Sequence, residues 1–527
     1  MMKTKLLILG FMLMYGLGAR AQRNLVLIIA DDVGTDYFSS FSNSGDTANT
    51  PRIRALAEKG VIYPNTWATP VCSPTRAGIF TGRYSFRTGV GYVIANNTSP
   101  QLDTAEVSIA RLLKSYAPVA YQTACAGKWH LHANVPLKRN YPNKMGFDFY
   151  SGNFNGAITD FYNYPIVVNG MTDTATTYAT TQTVNDAISW LDTINATQPF
   201  FLWLAFNAAH SPYHLPPANL CDTAGLPGTQ AHINANRKLY FKAALQAMDT
   251  EIGRLLDYLD AQNQLDSTTI VFIGDNGNAA EVAQIVPVSH SKGTLYDYGV
   301  HVPLIVSGPD VVNPGRVQNN LINTHDLFAT LAELGGLTNW SGFIPSSTVV
   351  DARSFVHTIR NQNGSDRTWI FTEQFHDTLN AADGKSIRDA QFHLIRWDNG
   401  QEAFFDVLVD PAENYNLLAG TMSSLETARY HFLCDTLNAL VSTGACSPLS
   451  TSAFIEEHSA WITNLSAHEM VFIGEGLKQW NLYDMAGALI LSGYAKKISL
   501  EPISHGIYVI QWMDADNKKY YKKISCE

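Results

Sequence analysis

Strand candidates and helical segments alternate through most of the chain. The strand candidates are Asn24 to Ala30, Val119 to Ala124, Phe200 to Phe206, Thr268 to Ile273 and Val302 to Val306. A strand half open to water alternates apolar and polar residues, whereas one buried on both faces reads as a continuous run. Asn24 to Ala30 is mostly unbroken and therefore predicts a central parallel strand. Between the strand candidates, Pro51 to Lys59, Pro74 toward Thr81, Thr104 to Ser115, Ala179 to Ile194, Ala235 to Ala261 and Thr324 to Leu334 predict helices. Pro51 suits a first helical turn and Gly60 a helix end. Such alternation gives a large α/β domain with a mostly parallel central sheet. Asn140 to Met171 is rich in Asn, Gly and Tyr, and is expected to form irregular surface at the rim of a cleft.

The pattern changes after Asp351. Trp369 to Glu373, Phe392 to Arg396 and Glu402 to Phe405 predict short strands, and Ser424 to Leu440 a helix. A smaller α+β subdomain over 351–449 follows from them. A break rich in Ser, Thr, Gly and Pro comes next. Over 454–527, short strands separated by Gly, Asp and Asn turns predict a C-terminal β-sandwich. At the other end, Lys3 and Lys5 precede the apolar run Leu6 to Leu17, and Ala19-Arg20-Ala21 places small residues before a cut at Gln22. This predicts a signal peptide over 1–21, with the main domain over 22–350. No Cys follows the cut to carry a lipid, and no other apolar stretch is long enough to span a membrane. The mature chain is expected to be exported, secreted or surface-attached, without a transmembrane segment.

The net charge of −10 and the lack of a long basic run argue against nucleic acid as a partner. Six cysteines in an exported chain permit disulfides. Cys434 and Cys446, close in sequence, are the preferred pair, with Cys125 and Cys221 as further candidates.

Candidate chemistry gathers where the runs end. Asp31 and Asp32 follow the first strand, and Asp275 and Asn276 follow Thr269 to Gly274. The carboxyl ends of parallel strands converge on one crevice, so these four oxygen donors can meet on a hard cation. Taken alone, either doublet is equally a turn or a helix cap. Ca2+ is preferred for an exported protein, with Mg2+ as the alternative. Arg76, Lys128, His130, His210 and Lys292 are the basic candidates for holding an anionic group, and Arg76 lies one helical turn after Cys72.

The run Thr69-Pro70-Val71-Cys72-Ser73-Pro74-Thr75-Arg76, continued to Thr81-Gly82-Arg83, resembles the signature of the formylglycine-dependent (type I) sulfatases of the alkaline-phosphatase-like superfamily. The resemblance extends from Asn24 to about Leu440. It includes Gly127-Lys128-Trp129-His130, Ala209-His210-Ser211-Pro212, Ser291-Lys292-Gly293 and Asp410-Pro411-Ala412-Glu413-Asn414. It implies an enzyme that hydrolyses sulfate monoesters. Cys72 would be oxidised to formylglycine by a formylglycine-generating or anaerobic sulfatase-maturating enzyme, and would also contact the cation. Asp275 would act as base for the hydroxyl that attacks sulfur, His130 would take the proton of the second hydroxyl, and His210 or Lys292 would be the acid for the leaving alcohol. One departure is Asp297-Tyr298-Gly299-Val300-His301, where the family usually carries Glu-Gly-Gly and then an Arg. Sulfated polysaccharide or oligosaccharide is the expected substrate, with Tyr162, Tyr164, Tyr213, His214 and His301 as candidate rim residues. The alternatives are a phosphate mono- or diester hydrolase of the same superfamily and a non-catalytic glycan-binding surface protein.

The tail carries Trp480-Asn481-Leu482-Tyr483-Asp484, Ile503-Ser504-His505-Gly506-Ile507-Tyr508 and Tyr521-Lys522-Lys523-Ile524. It resembles the C-terminal sorting domain of the type IX secretion system of Bacteroidota-type bacteria. That implies export through this machinery, and carries no implication about the chemistry.

Overall fold

A computed structural model describes residues 23–42, 46–378 and 380–441, with strands and short flanks between 462 and 526. The predicted signal peptide, the break over 442–450 and Cys446 lie outside the described residues. A ten-stranded sheet organises the first part of the chain. Its centre is Asn24–Ala30, paired in parallel with Phe200–Ala205 on one side and Thr268–Gly274 on the other. Gln122–Gly127 extends the parallel set beyond Phe200–Ala205. Leu304–Ser307 runs antiparallel to Thr268–Gly274.

The unbroken apolar run of Asn24–Ala30 has a direct cause. Successive side chains of a strand point to opposite faces. Leu25, Leu27 and Ile29 enter one core, and Val26, Ile28 and Ala30 enter the other. Full burial of each Leu, Ile or Val is worth about 1.5–3 kcal/mol. One core is covered by the helices Cys72–Thr81, Ile109–Tyr116 and Asp326–Leu334. The other is covered by Pro51–Glu58, Ala179–Leu191 and the long helix Arg237–Ala261. That long helix presents Phe241, Leu245, Met248, Ile252, Leu255 and Leu259, spaced three or four apart along one stripe.

Several predicted boundaries move by a few residues. The helix expected from Thr104 starts at Ile109, because Ser108 caps it and accepts from the Arg111 amide at 3.1 Å. The strand expected over Val119 to Ala124 is Gln122–Gly127. The segment Asn140 to Met171 is a larger correction. It holds the helix Tyr141–Lys144 and three strands, Phe149–Gly152, Tyr164–Val168 and Met171–Ala175, which extend the main sheet. Asn169 and Gly170, at φ 45° and 88°, join the last two strands. An Asn-Gly pair with both φ positive is the favoured two-residue hairpin turn, and this was the signal to read.

The chain divides into two compact units. One is Met1–Ser386 with Ile395–Gln401 and Pro411–Asn414, and the other takes the remaining segments to Glu527. The strand Gly384–Arg388, not expected from the sequence, joins Ile370–Gln374, Phe392–Trp397 and Glu402–Asp406 in a four-stranded sheet. The tail holds two sheets. Ile462–Ser466, Glu469–Phe472 and Lys497–Ser499 form one, and Leu489–Gly493, Gln479–Asp484, Gly506–Met513 and Lys519–Cys526 the other. In the second, Trp480 lies opposite Trp512 and Leu482 opposite Ile510, all four buried. Cys434 is disulfide-bonded. Cys125 and Cys221 are free thiols, which corrects their suggested pairing; Cys125 is held inside the core by its central strand. Among the described residues no helix is long and apolar enough to cross a membrane.

One buried acid sets a pH dependence. Glu373 accepts from the Phe86 amide at 2.7 Å, and burial pushes its carboxyl from 4.5 up to about 7. The folded state therefore holds a proton that the unfolded chain releases. The stability it brings is complete below pH 4.5 and lost as pH rises through about 7. Glu373→Gln is expected to be more stable than wild type above pH 7, by about 3 kcal/mol at most, with the gain vanishing toward pH 4.5. Melting temperatures of both proteins across this range check it; a constant difference would show that Glu373 does not titrate there.

Candidate active site

The loops that leave the carboxyl ends of the central strands carry the site. Backbone hydrogen bonds continue the strand ladders into these loops. The Asp275 amide donates to Ala30 O, the Lys128 amide to Ala205 O, and Asp31 exchanges two hydrogen bonds with Ala208 and Ala209. Asp31, Lys128, Asp275 and the approach to His210 are thereby brought to one sheet edge. Cys72 enters from the head of its helix, after Val71 in extended conformation. All ten residues of that helix are buried, so its position is set by packing along its whole length.

Cys72 Sγ lies 3.1 Å from His130 Nδ1, and His130 Nε2 lies 3.2 Å from the Ile94 carbonyl. A carbonyl only accepts, so Nε2 carries the proton and Nδ1 presents its lone pair to position 72. Burial, then the charges of Lys128 and Arg76, hold His130 well below its ordinary range, and the ring is neutral. His130 has φ 52°, a conformation uncommon for a side chain of this size. Ser73 Oγ fixes it by donating to its carbonyl at 3.0 Å. A Cβ on Gly156 would stand 2.4 Å from His130 Cε1, so only glycine lets the ring sit there. The thiol of Cys72 itself is pushed up by burial and remains protonated, a weak nucleophile as encoded.

Arg76 is fully buried. Its Nε and Nη2 donate to Asp275 Oδ2 at 3.0 and 2.7 Å, and Nη1 donates to the Lys128 carbonyl. Lys128 Nζ donates to Asp31 Oδ2 at 2.6 Å. Burial raises Asp31 to about 6, against the opposing pull of Lys128. Asp32, at φ 61°, accepts from Lys292 Nζ at 2.5 Å and from Asn276 Nδ2 at 2.9 Å, and His210 Nε2 stands 3.6 Å from its other oxygen. Burial favours the neutral acid here too, but His210 and Lys292 outweigh it and hold Asp32 well below the usual carboxylate range. Burial likewise opposes the charge on Lys292, and Asp32 overcomes it and drives Lys292 upward.

The donor set fits a hard divalent cation. Asp31 Oδ1 and Asn276 Oδ1 are buried and have no hydrogen-bond partner. Ligand atoms of Asp31, Cys72 and Asp275 lie within 4.8 Å of one another. Buried oxygens without donors are costly unless a cation takes them. Three carboxylates, Asp31, Asp32 and Asp275, face three fixed cations, Arg76, Lys128 and Lys292. The cluster is thus near neutral as it stands, and a divalent cation leaves it positive. A chain of net charge −10 can in this way offer a local welcome to an anion.

All ten core residues singled out from the sequence meet in this cluster: Asp31, Asp32, Cys72, Arg76, Lys128, His130, His210, Asp275, Asn276 and Lys292. Arg76 and Lys128 lie beneath it, on the carboxylates. Lys292 and His210 keep 17% and 16% of their side chains exposed and mark its open side. The rim candidates divide: Tyr164 is buried, which corrects it, while His214 and His301 remain partly exposed. Tyr164 is buried in a strand among Ile158, Phe161 and Ala179. His214 stacks on Phe161 at 3.9 Å and bonds Tyr178 Oη at 2.9 Å, and burial lowers it to about 4. His301 is held between Asp297 and the Pro64 carbonyl. Tyr162 is exposed and donates to Leu215 O, while Tyr213 is half-buried and feels the charges of Asp32 and Lys292. Glu413 accepts from the Asp297 amide at 2.7 Å, a structural anchor in the closing segment. Asp36, Asn278 and Tyr298 were not singled out, yet they bind the ligand-bearing loops together.

The family profile described as Sulfatase matches residues 23–337. The chain is 28% identical over 333 residues to arylsulfatase J of Mus musculus, covering 60% of this chain and 53% of that protein. It thus spans about half the length of that relative. It is 26% identical over 422 residues to N-acetylgalactosamine-6-sulfatase of Homo sapiens, covering 73% and 74%. Among solved structures, Ps i-CgsB in complex with k-i-k-neocarrahexaose superposes with a TM-score of 0.67 at 25% identity, over 80% of this chain and 92% of that one. PsFucS1 sulfatase from Pseudoalteromonas sp. shares the fold, with a TM-score of 0.61 at 20% identity, over 80% and 92%.

Proposed function

We propose that this chain, which belongs to the sulfatase family, hydrolyses sulfate monoesters of a sulfated polysaccharide or oligosaccharide. The observation that carries the reading is one buried cluster in which a neutral His130 presents Nδ1 to position 72 beside two unpartnered oxygens, Asp31 Oδ1 and Asn276 Oδ1. A saccharide substrate is supported by the likeness to Ps i-CgsB, whose structure holds k-i-k-neocarrahexaose.

Oxidised to formylglycine and hydrated, position 72 supplies two hydroxyls, one to attack sulfur and one whose ionisation releases sulfate. Asp31, Asp32, Asp275 and Asn276 would hold a divalent cation, Ca2+ in preference to Mg2+, which when bound would neutralise charge on the sulfate oxygens. The remaining roles belong to the chain's own side chains. His130 Nδ1 accepts a proton from position 72. Arg76 and Lys128, fixed beneath, hold Asp275 and Asp31 in place by hydrogen bonds. Lys292 and His210 stand on the open side, where the alcohol departs, and one of them gives it a proton. The two carboxylate oxygens of Asp275 accept from Arg76 and from the Asp32 amide, which suits a ligand better than a free base.

Maturation by a formylglycine-generating or anaerobic sulfatase-maturating enzyme, export behind the predicted signal peptide and delivery by type IX secretion machinery belong to the same proposal. They are supported by the Cys72 motif and by the tail's pattern of strands. Converted protein is expected to turn over an aryl sulfate at least about 100-fold faster than the matching aryl phosphate. Chelation should remove that activity and added Ca2+ restore it. Preference for the phosphate would favour the phosphoester alternative. Activity unchanged by exhaustive chelation would remove the cation from the mechanism.

A further inference from the structure

The four proposed cation-binding side chains come in pairs from two loops, one after Asn24–Ala30 and one after Thr268–Gly274. Their spacing depends on how these loops are held past the strand ends. Asn278 is fully buried and joins them. Its Oδ1 accepts from the Gly34 amide at 2.8 Å, and its Nδ2 donates to Asp36 Oδ1 at 2.6 Å. Its own carbonyl accepts from the Lys292 amide at 2.9 Å, which ties in the strand of chain bearing that lysine. Tyr298 closes the arrangement. Its hydroxyl donates to Asp36 Oδ2 at 2.5 Å and accepts from Asn278 Nδ2 and the Gln284 amide, both at 2.9 Å. The hydroxyl's proton and both lone pairs are used, and both oxygens of Asp36 are satisfied. A closed polar network of this kind has one geometry, and deleting a member leaves buried groups unpaired.

We infer that Asp36, Asn278 and Tyr298 form a clasp that sets the distance between the Asp31–Asp32 and Asp275–Asn276 loops, and so act as positioning residues for the divalent cation. None of the three touches the proposed reacting atoms. The clasp acts through the placement of the oxygens, and the inference rests on the cation site proposed above. Tyr298 lies in the segment where the chain departs from the resembled pattern.

The test is calcium affinity of the full mature chain by isothermal titration calorimetry, with thermal melts in the presence and absence of Ca2+. Tyr298→Phe removes one hydroxyl and keeps the ring. It is expected to weaken Ca2+ binding roughly tenfold, as loss of an outer hydrogen bond to a metal site does, and to shrink the calcium-induced rise in melting temperature. Tyr37→Phe is the matched comparison. Tyr37 Oη donates to the Val282 carbonyl at 2.5 Å, from the same loop but outside the clasp. It should lower both melts alike and leave the Ca2+ dissociation constant within about twofold of wild type. Wild-type affinity in Tyr298→Phe, or an equal loss in Tyr37→Phe, overturns the clasp. A wild-type chain that binds neither Ca2+ nor Mg2+ overturns the cation site itself.

Discussion

Cys72→Ala is expected to lower kcat/KM on an aryl sulfate by roughly a thousandfold or more, toward the background left by binding groups alone. No neighbour can replace position 72. His130 is a base and not a carbon-bound diol, and the free thiol of Cys125 sits inside the core. The protein should still fold. Cys72 is small, and the helix that carries it is held by Ala77, Ile79 and Phe80 in the core. A circular dichroism spectrum and melting temperature close to wild type would separate lost chemistry from lost structure. Cys72→Ser should be equally inactive in a host whose maturase accepts only Cys. A tenth of wild-type turnover in a clean, folded Cys72→Ala protein would end the assignment. Peptide mass spectrometry of active wild type should show the aldehyde at position 72.

Asp275→Asn should have the second largest effect, and it should appear in two measurements together. The substitution preserves shape but removes a negative charge from a cluster of three carboxylates and three cations. Arg76, wholly buried, then loses the anion that its Nε and Nη2 both address. Leaving one partner of a buried pair uncompensated costs about 3–5 kcal/mol, so the melting temperature should fall. Cation affinity should fall as well, because an anionic ligand has become a neutral one, and turnover should drop by roughly a hundredfold or more. Metal content by atomic absorption, calorimetric affinity and kcat form the check. A variant that loses stability yet binds Ca2+ with wild-type affinity would place Asp275 outside the cation site and leave it as Arg76's counter-ion.

The fold was legible wherever one local pattern had one physical cause. Leu25 to Ala30 is apolar at every position because both faces of the central strand are covered. The stretch Asn140 to Met171 was misread because composition outweighed turn chemistry. Its strands belong to the outer end of the sheet and carry polar residues, and Asn169-Gly170 marked their hairpin. The rim candidates show a different limit. Tyr164 was chosen for residue type, but exposure depends on what packs against a residue, and Ile158, Phe161 and Ala179 close around it.

By itself, the amino-acid sequence determined the strand runs, the oxygen-donor pairs that end two of them, the Cys72 motif and the sulfatase family. All are properties of adjacent residues, and parallel connection then obliges the strand ends to meet. Tertiary structure alone decided which charge answers which. Arg76 addresses Asp275 across 199 positions, and Lys128 addresses Asp31 across 97. It also decided that His130 is neutral with Nδ1 free toward Cys72, and that Asp36, Asn278 and Tyr298 close on one another. Hydrogen-bond direction, burial and pKa are set by partners distant along the chain, and spacing along the sequence does not encode them.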